Sequence, residues 1–374
     1  FIEKGFMTKL AVVILAAGEG TRMKSAWPKV LHQLAGRPLL NYITATVNQL
    51  QPQRKVVVLG HKYEQVLKVL PAGFDVAHQH EQLGTGHAVL QAEPLLKDFN
   101  GAVLVLPGDV PLVKSETLAN LIKLYQSTKA DCAVLTTVLE NPFGYGRLAR
   151  KANGEIVKIV EEKDATPEER KIKEVNAGIY AFNSRKLFNA LKLITRQNQQ
   201  KEYYLTDVIG IFVSQGEKVV ALKTDNSAEV MGINSRLELA QAEQLVQEQL
   251  KQTLMAQGVT FIMPQTTYLT ADVQIGADTT VYPYCFLTGK TTVGSRCQIG
   301  PAANIKDAEV GSEVKVMYAV IEGAKVQAGA VVGPYCYLRP GAKLKDKAKA
   351  GSFVEIKNST VGENSKVPHL SYIG

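Results

Sequence analysis

The sequence predicts two architectures in one chain: a mostly parallel, doubly wound α/β sheet, followed by a left-handed parallel β-helix of hexapeptide repeats. Three observations carry this. The chain has 374 residues, more than the roughly 250 to 300 at which one hydrophobic core stops growing. Short apolar runs alternate with amphipathic stretches through its first half, as βαβ units require. Past residue 258 the aliphatic period changes to six, the spacing of one inward residue per side of a triangular coil.

In the first half the expected strands are Leu10–Ala16, Lys55–Leu59, Asp75–His78, Ala102–Pro107 and Ala133–Leu139. Apolar residues recurring every three or four positions predict helices over Pro38–Gln49, Tyr63–Leu70, Gly86–Leu96 and Ser115–Tyr125. From Ser235 to Gly258, residues Leu239, Ala242, Val246, Leu250 and Leu254 share one helical face, and Gly258 closes the stretch. This reads as a connecting helix.

Beyond it, Ile275, Val281, Leu287, Val293, Ile299 and Ile305 are evenly spaced, and so are Val326, Val332, Leu338, Leu344, Ala350 and Ile356. A meander of short strands would alternate at two and show no preference for six. Two slips to five, near Val310 and Val361, fit at corners. A solenoid needs a capped end, yet Tyr372-Ile373-Gly374 stops in mid-period, so further C-terminal coils are expected outside this chain.

Hydrophobic residues make up 45% and charged residues 21%, the composition of a soluble globular protein. The longest apolar run, Leu10–Ala17, is far short of the roughly 18 to 20 residues that span a bilayer. Residues Phe1–Phe6 precede Met7 and lack a secretion-signal pattern, so they read as a remnant ahead of the natural start and the cytoplasm as the address. Cys132, Cys285, Cys297 and Cys336 are widely spaced with no C-x-x-C pair, which argues for buried thiols and against a zinc ribbon. The net charge of +8 suits anionic ligands. It forms no basic arm: from Val259 onward there are 12 Lys or Arg against 9 Asp or Glu, and Lys343, Lys345, Lys347 and Lys349 have no interleaved aromatics. That cluster reads as a solvated face, with neither nucleic acid nor membrane as partner.

After the first strand comes Ala17-Gly18-Glu19-Gly20-Thr21-Arg22-Met23, then Pro28-Lys29-Val30-Leu31. Glycines let backbone N–H groups approach an anion, and Arg22 and Lys29 add fixed positive charge. Met23 spoils both the P-loop and the dinucleotide pattern, so on these residues alone a structural turn is the better reading. Downstream, Asp109 follows the strand Ala102–Pro107, and open α/β sheets bind ligands at such strand ends. Thr85 reads as a helix cap. His78 and His80 could suggest a transition metal, but they lack a third nearby ligand. They read, with His32 and His61, as hydrogen-bonded structural histidines.

Ala16-Ala17-Gly18-x-Gly20-Thr21-Arg22-Met23 with Pro28-Lys29-Val30-Leu31 resembles the signature of sugar-phosphate nucleotidyltransferases. Further matches are Gln79 to Ala88, Leu104 to Leu112, Gly144-Tyr145-Gly146-Arg147, Ile159 to Asp164, Glu174 to Gly178 and Met231 to Arg236. With the hexapeptide tail, the chain from Met7 onward resembles the bacterial bifunctional N-acetylglucosamine-1-phosphate uridyltransferase and glucosamine-1-phosphate acetyltransferase family, the GlmU type. The resemblance implies a Rossmann-like nucleotidyltransferase domain over 7–234, a connecting helix over 235–258 and an incomplete acetyltransferase β-helix over 259–374. It further implies transfer of a uridylyl group from UTP to N-acetylglucosamine 1-phosphate, giving UDP-N-acetylglucosamine and pyrophosphate. Leu15, Ala16, Ala17, Gly18, Gln79, Gly84 and Thr85 would bind the nucleotide, and Lys29 its phosphates. Gly146, Glu161 and Asn176 would hold the sugar. Asp109 and Asn234 would share Mg2+, and Arg22 would neutralise the leaving pyrophosphate.

The chemistry agrees with this assignment. A phosphate monoester is already an anionic nucleophile, so transfer at the α-phosphorus needs positioning and charge neutralisation and no general base. In the β-helix, Arg339, Lys357 and Tyr372 would hold a sugar phosphate and His369 would be the general base of acetyl transfer. No residue here matches the family's acetyl-CoA contacts, so that half is expected to be inactive in this chain, with acetyl-CoA a co-substrate only of a longer parent. A homotrimer is implied. The competing readings are a nucleotidyltransferase for another sugar 1-phosphate and a non-catalytic β-helix scaffold.

Overall fold

A computed structural model describes residues 9–374; the segment Phe1–Phe6 and Met7 lie outside the described residues. The chain divides into two compact units, one reaching His32 and resuming from Pro38 to Leu239, the other formed by Gln33–Arg37 and Ala240–Gly374.

The first unit is built on a nine-stranded sheet. Its strands are β1 (Leu10–Ala16), β2 (Arg54–Leu59), β3 (Asp75–His78), β4 (Ala102–Pro107), β5 (Cys132–Val138), β6 (Arg147–Arg150), β7 (Ile156–Val160), β8 (Glu174–Asn183) and β9 (Val219–Thr224). The main order is β9-β5-β8-β4-β1-β2-β3, with β6 pairing to β8 and to β7. Strand β1 lies between β4 and β2, parallel to both, so the direction of winding reverses there. Ligands bind at such a switch point, beyond the carboxyl ends of the strands.

Both faces of the sheet are covered, which is why β1 is continuously apolar. Ala11 and Val13 join the core that includes Leu187 and Phe212, whereas Val12 and Ile14 join the core that includes Ile43 and Leu121. The covering helices are α1 (Leu39–Gln49), α2 (Tyr63–Leu67), α3 (Thr85–Leu90), α4 (Ser115–Ser127), α5 (Ser184–Leu191) and α6 (Asp207–Ser214). Two expected helices are shorter than predicted. The Tyr63–Leu70 stretch stops at Leu67. The Gly86–Leu96 stretch breaks into α3 and a single 3-10 turn, Glu93–Leu96, because Pro94 cannot donate into a continuing helix.

The second unit contains most of α7 (Arg236–Ala256) and three parallel sheets of seven, seven and six short strands, the β-helix that the six-residue period predicts. All twelve period-six residues named above are buried. Successive coils align Val281, Ile299, Val316, Val332, Ala350 and Val367 in one column. The five-residue steps are more numerous than the two expected. Ile305 to Val310, Val316 to Ile321, Ile321 to Val326 and Ile356 to Val361 each shorten a side while the inward residue stays buried.

Corners turn through left-handed backbone at residues such as Asp307, Tyr318 and Phe353. The four cysteines are free and buried as expected. Buried Gln247 of α7 completes the first coil: its Nε2 donates to the Leu269 carbonyl at 2.6 Å, and its Oε1 accepts from the Leu269 N–H at 3.0 Å. A strand edge that would otherwise lack partners is thereby paired. Among the described residues no helix is long and apolar enough to cross a membrane.

Candidate active site

At the carboxyl ends of β1 and β4 lies a cleft of about 470 Å³. Leu15, Ala16, Ala17, Gly18, Lys29, Gln79, Gly84, Thr85 and Asp109 all line it. Gly20, Gln82 and Glu202 do as well, and the sequence reading had not selected them as site residues.

The loop after β1 is not the start of a long helix. Buried Met23 turns it into one 3-10 turn, Thr21–Met23, which explains why two familiar phosphate motifs fail at that position. Gly20 has φ +66°, and a Cβ there would lie 2.6 Å from the Cβ of Lys29. Glycine therefore lets the loop close onto Lys29. At Gly18 a Cβ would meet nothing within 4 Å, so protein packing leaves that position open towards the cleft.

Lys29 is the electrostatic centre. Its ammonium forms a salt bridge with Asp109 and donates to the Asn234 amide oxygen at 3.0 Å. Asn234 arrives because the Ile233 N–H donates to the Asp109 carbonyl at 2.8 Å and because α7 begins immediately afterwards. Glu238 accepts from the Asn234 N–H at 2.7 Å and from the Ser235 hydroxyl at 3.0 Å, a variant of the capping box. Arg22 is exposed on the neighbouring 3-10 turn.

The loop from Gln79 to Thr85 is fastened to a segment that the sequence left unassigned. Tyr203 N–H donates to the Leu83 carbonyl and Gly86 N–H to the Tyr203 carbonyl, each at 2.8 Å. Thr85 does not cap α3, contrary to the expectation. The residue before the helix is Gly84, with no side-chain cap, and the Thr85 hydroxyl accepts the Leu205 N–H at 2.9 Å.

Gly146, Glu161 and Asn176 gather beside the ends of β6, β7 and β8. The Asn176 N–H donates to the Gly146 carbonyl at 2.9 Å, and a Cβ on Gly146 would lie 3.6 Å from both Glu161 carboxylate oxygens. Register shifts in β8 between Asn176 and Tyr180. Within that bulge Asn176 Nδ2 donates to the Tyr180 hydroxyl at 2.6 Å, and its Oδ1 accepts from the Gly178 N–H at 3.0 Å. Burial pushes the Glu161 carboxyl above its usual range; the Thr206 hydroxyl, donating at 2.9 Å, opposes this, and Asp207, Asp164 and Glu202 reinforce it.

Arg147, part of the Gly144-Tyr145-Gly146-Arg147 match but given no role by it, is buried and paired with Glu162 at 2.7 Å, and Glu162 accepts the Gly144 N–H at 3.1 Å. Tyr145 lies in the same loop. Burial raises its phenol, the Gly232 backbone opposes this, and the charges of Glu238 and Asp109 add to it.

His78 and His80 are not the hydrogen-bonded structural histidines expected: both are exposed, and their rings lie 4.0 Å apart, tilted at 45°. Burial, and then the neighbouring His80, lower the pKa of His78, with Glu64 opposing. His32 is buried, with Nδ1 3.2 Å from Arg236 and Nε2 without a partner.

On the β-helix, Arg339 follows Leu338 and Lys357 follows Ile356, residues paired in register on adjacent coils, and Tyr372 pairs with Glu355 on the next. Arg339 donates to Glu355 at 2.9 Å. His369 is exposed and pairs with Ser352.

The family of MobA-like NTP transferase domains matches residues 12–198. A bifunctional protein GlmU of Carboxydothermus hydrogenoformans is 47% identical over 362 residues, 97% of this chain and 81% of that protein. The bifunctional protein GlmU of Brevibacillus brevis is 45% identical over 368 residues, 98% of this chain and 80% of that one. The chain belongs to the GlmU family. Another GlmU relative, from Streptococcus suis, is 45% identical with the same coverage of both chains as the Brevibacillus protein. A solved putative glucose-1-phosphate thymidylyltransferase from Bacillus anthracis, in complex with a sucrose, aligns with TM-score 0.50 and 18% identity. It covers 63% of this chain and 94% of its own, and at that identity the likeness concerns the fold of the covered part alone.

Proposed function

We propose that this enzyme, a UDP-N-acetylglucosamine pyrophosphorylase of the GlmU family, joins UTP to N-acetylglucosamine 1-phosphate in the cleft beside β1 and β4. The observation that carries the reading is the convergence of Asp109, Asn234 and Lys29 at the switch point of the sheet. A phosphate oxygen of the sugar phosphate attacks the α-phosphorus of UTP. A new P–O bond forms, the α–β phosphoanhydride breaks and pyrophosphate leaves with the displaced electron pair.

The residues of the chain bind and neutralise. Leu15, Ala16, Ala17, Gly18, Gln79, Gly84 and Thr85 hold the nucleotide. Lys29 meets its phosphates and Arg22 the departing pyrophosphate, where charge accumulates. Gly146, Glu161 and Asn176 hold the amino sugar. One carboxylate and one amide oxygen already share a single cation, the ammonium of Lys29, so this donor set fits a hard divalent ion that takes oxygen ligands. Mg2+ held by Asp109 and Asn234 would supply positive charge against the phosphates.

We assign 7–234 to this activity, 235–258 to the connecting helix and 259–374 to the β-helix. There Arg339, Lys357 and Tyr372 would hold glucosamine 1-phosphate and His369 would be the base of an acetyl transfer that only a longer parent, with its acetyl-CoA contacts, completes. The assembly is a homotrimer, and the reaction runs in the cytoplasm, where its nucleotide substrate is made. A panel of sugar 1-phosphates offered with UTP and Mg2+ tests the reading. Pyrophosphate release is expected to be fastest with N-acetylglucosamine 1-phosphate, and faster release with another sugar would move the assignment to that substrate.

A further inference from the structure

Gln79 is buried, and its side-chain amide meets two acceptors. Nε2 donates to the Gly84 carbonyl at 3.1 Å and lies 3.0 Å from Nδ1 of His87 on α3. A backbone carbonyl can only accept, so the Gly84 contact fixes which end of the amide is the nitrogen. The second Nε2 hydrogen then needs a lone pair on Nδ1. The other side of the same imidazole is contested, because Gln91 Nε2 sits 3.1 Å from His87 Nε2 and 3.1 Å from the His87 carbonyl.

A neutral imidazole has one ring lone pair, and two amides compete for it. Burial decides the winner. Gln79 is 3% exposed, which leaves its amide little access to water, whereas Gln91 is half-buried and retains the His87 carbonyl as a partner. An unpaired buried donor costs more than a half-exposed one. The proton therefore sits on Nε2, and Nδ1 accepts from Gln79. Both Gln79 donors are thus used within the protein, and the carbonyl oxygen Oε1 is what remains for a ligand.

We infer that His87 is a positioning residue for base selection: by accepting from Gln79 it holds that amide with its oxygen towards the nucleobase. The inference rests on the assignment of Gln79 to the nucleotide. An oxygen held in this way favours a base that presents a ring N–H, as uracil does at N3. It opposes cytosine, whose N3 is an acceptor, so that two lone pairs would meet.

Steady-state kinetics with UTP and CTP test this in His87→Leu, His87→Asn and Gln79→Ala. His87→Leu removes the acceptor. It is expected to raise KM for UTP and to reduce the preference for UTP over CTP, each by about tenfold, as for loss of one orienting hydrogen bond. The maximal rate and KM for the sugar phosphate should stay near the parent's. His87→Asn returns an acceptor, Oδ1, near the place of Nδ1 and should keep the preference, a rescue that a merely structural role would not produce. If His87→Leu keeps the parent preference while Gln79→Ala loses it, Gln79 reads the base without help from His87 and the inference falls. If both variants keep it, the assignment of Gln79 falls as well.

Discussion

The Ile233 N–H donates to the carbonyl oxygen of Asp109 at 2.8 Å, tying the residue before Asn234 to the carbonyl end of β4. Two oxygen donors far apart in sequence thereby reach one ammonium. Asp109→Asn keeps the shape of the side chain but removes the one charge of the proposed Mg2+ ligand pair. Turnover should fall about a hundredfold, ~3 kcal/mol of transition-state stabilisation, with the thermal midpoint little changed. Pyrophosphate release near the parent rate at saturating Mg2+ would remove Asp109 from the ligand set.

Gly84 tests the strap between the nucleotide loop and Tyr203. Its φ is +110°, and a Cβ would lie 2.6 Å from the Tyr203 carbonyl and 2.8 Å from the Tyr203 nitrogen. Gly84→Ala is expected to cost about 1 to 3 kcal/mol in urea unfolding and to raise KM for UTP more than KM for the sugar phosphate. Equal stability in the variant would mean that the strap yields freely.

Where periodicity was strong, the sequence was legible. The continuous apolar run of β1 and the six-residue period each follow from one repeated burial geometry, and both elements occur where they were expected. Strands β6 and β7 went unassigned, although Asn153-Gly154 between them is a hairpin signal and Gly154 has φ +86°. Strand β8 was also hidden, because its bulge at Asn176 interrupts the alternation that marks a strand. The loop Gln79–Thr85 was readable as a motif, but its anchorage was not, since Tyr203 reaches it through backbone bonds and Leu205 through its N–H to the Thr85 hydroxyl, contacts that no side-chain pattern encodes. The steps from Val316 to Ile321 and from Ile321 to Val326 stay hidden in the sequence for a related reason: a shortened side moves the corner and leaves the inward aliphatic in place.

Arg147 and Glu162 form a pair that is far less exposed on the arginine side, 2% against 20%. Removing the arginine takes the shorter of two ion pairs from a partly buried carboxylate, leaving Arg170 at 3.6 Å, and releases the Gly144–Gly146 loop. Arg147→Met is expected to lower stability by about 3 kcal/mol and to raise KM for N-acetylglucosamine 1-phosphate while leaving KM for UTP unchanged. A stability loss with both KM values intact would confine the pair to a structural role.

The Glu161 carboxyl titrates above its ordinary value of 4.5 in the folded protein, first because it is buried. The folded state therefore holds its proton more tightly than the unfolded chain, and this contribution is full below 4.5 and is lost as pH rises through the raised value. Glu161→Gln removes the charge at no cost in shape. The variant should melt higher than the parent at pH 7, with the gain shrinking as pH approaches about 4, while binding the amino sugar more weakly. A gain independent of pH would separate the stability effect from this carboxyl.

The second unit carries a surface that the proposed trimer would cover. Tyr318, Tyr335 and Phe353 stand at one corner of successive coils with rings stacked at 5.5 Å and 5.1 Å. Leu370 continues the corner on the next coil, and Tyr335, Phe353 and Leu370 are 56%, 58% and 77% exposed. Exposed apolar side chains aligned in this way mark a surface that another protein face covers, and in the proposed trimer that face belongs to a second copy. Light scattering at micromolar concentration should give three times the 40.7 kDa of one chain. Phe353→Glu, which places a charge in the middle of the stack, should lower that mass while uridylyl transfer in the first unit continues. A parent protein that scatters as a monomer would overturn the trimer, and an unchanged trimer in Phe353→Glu would move its interface to another side of the coil.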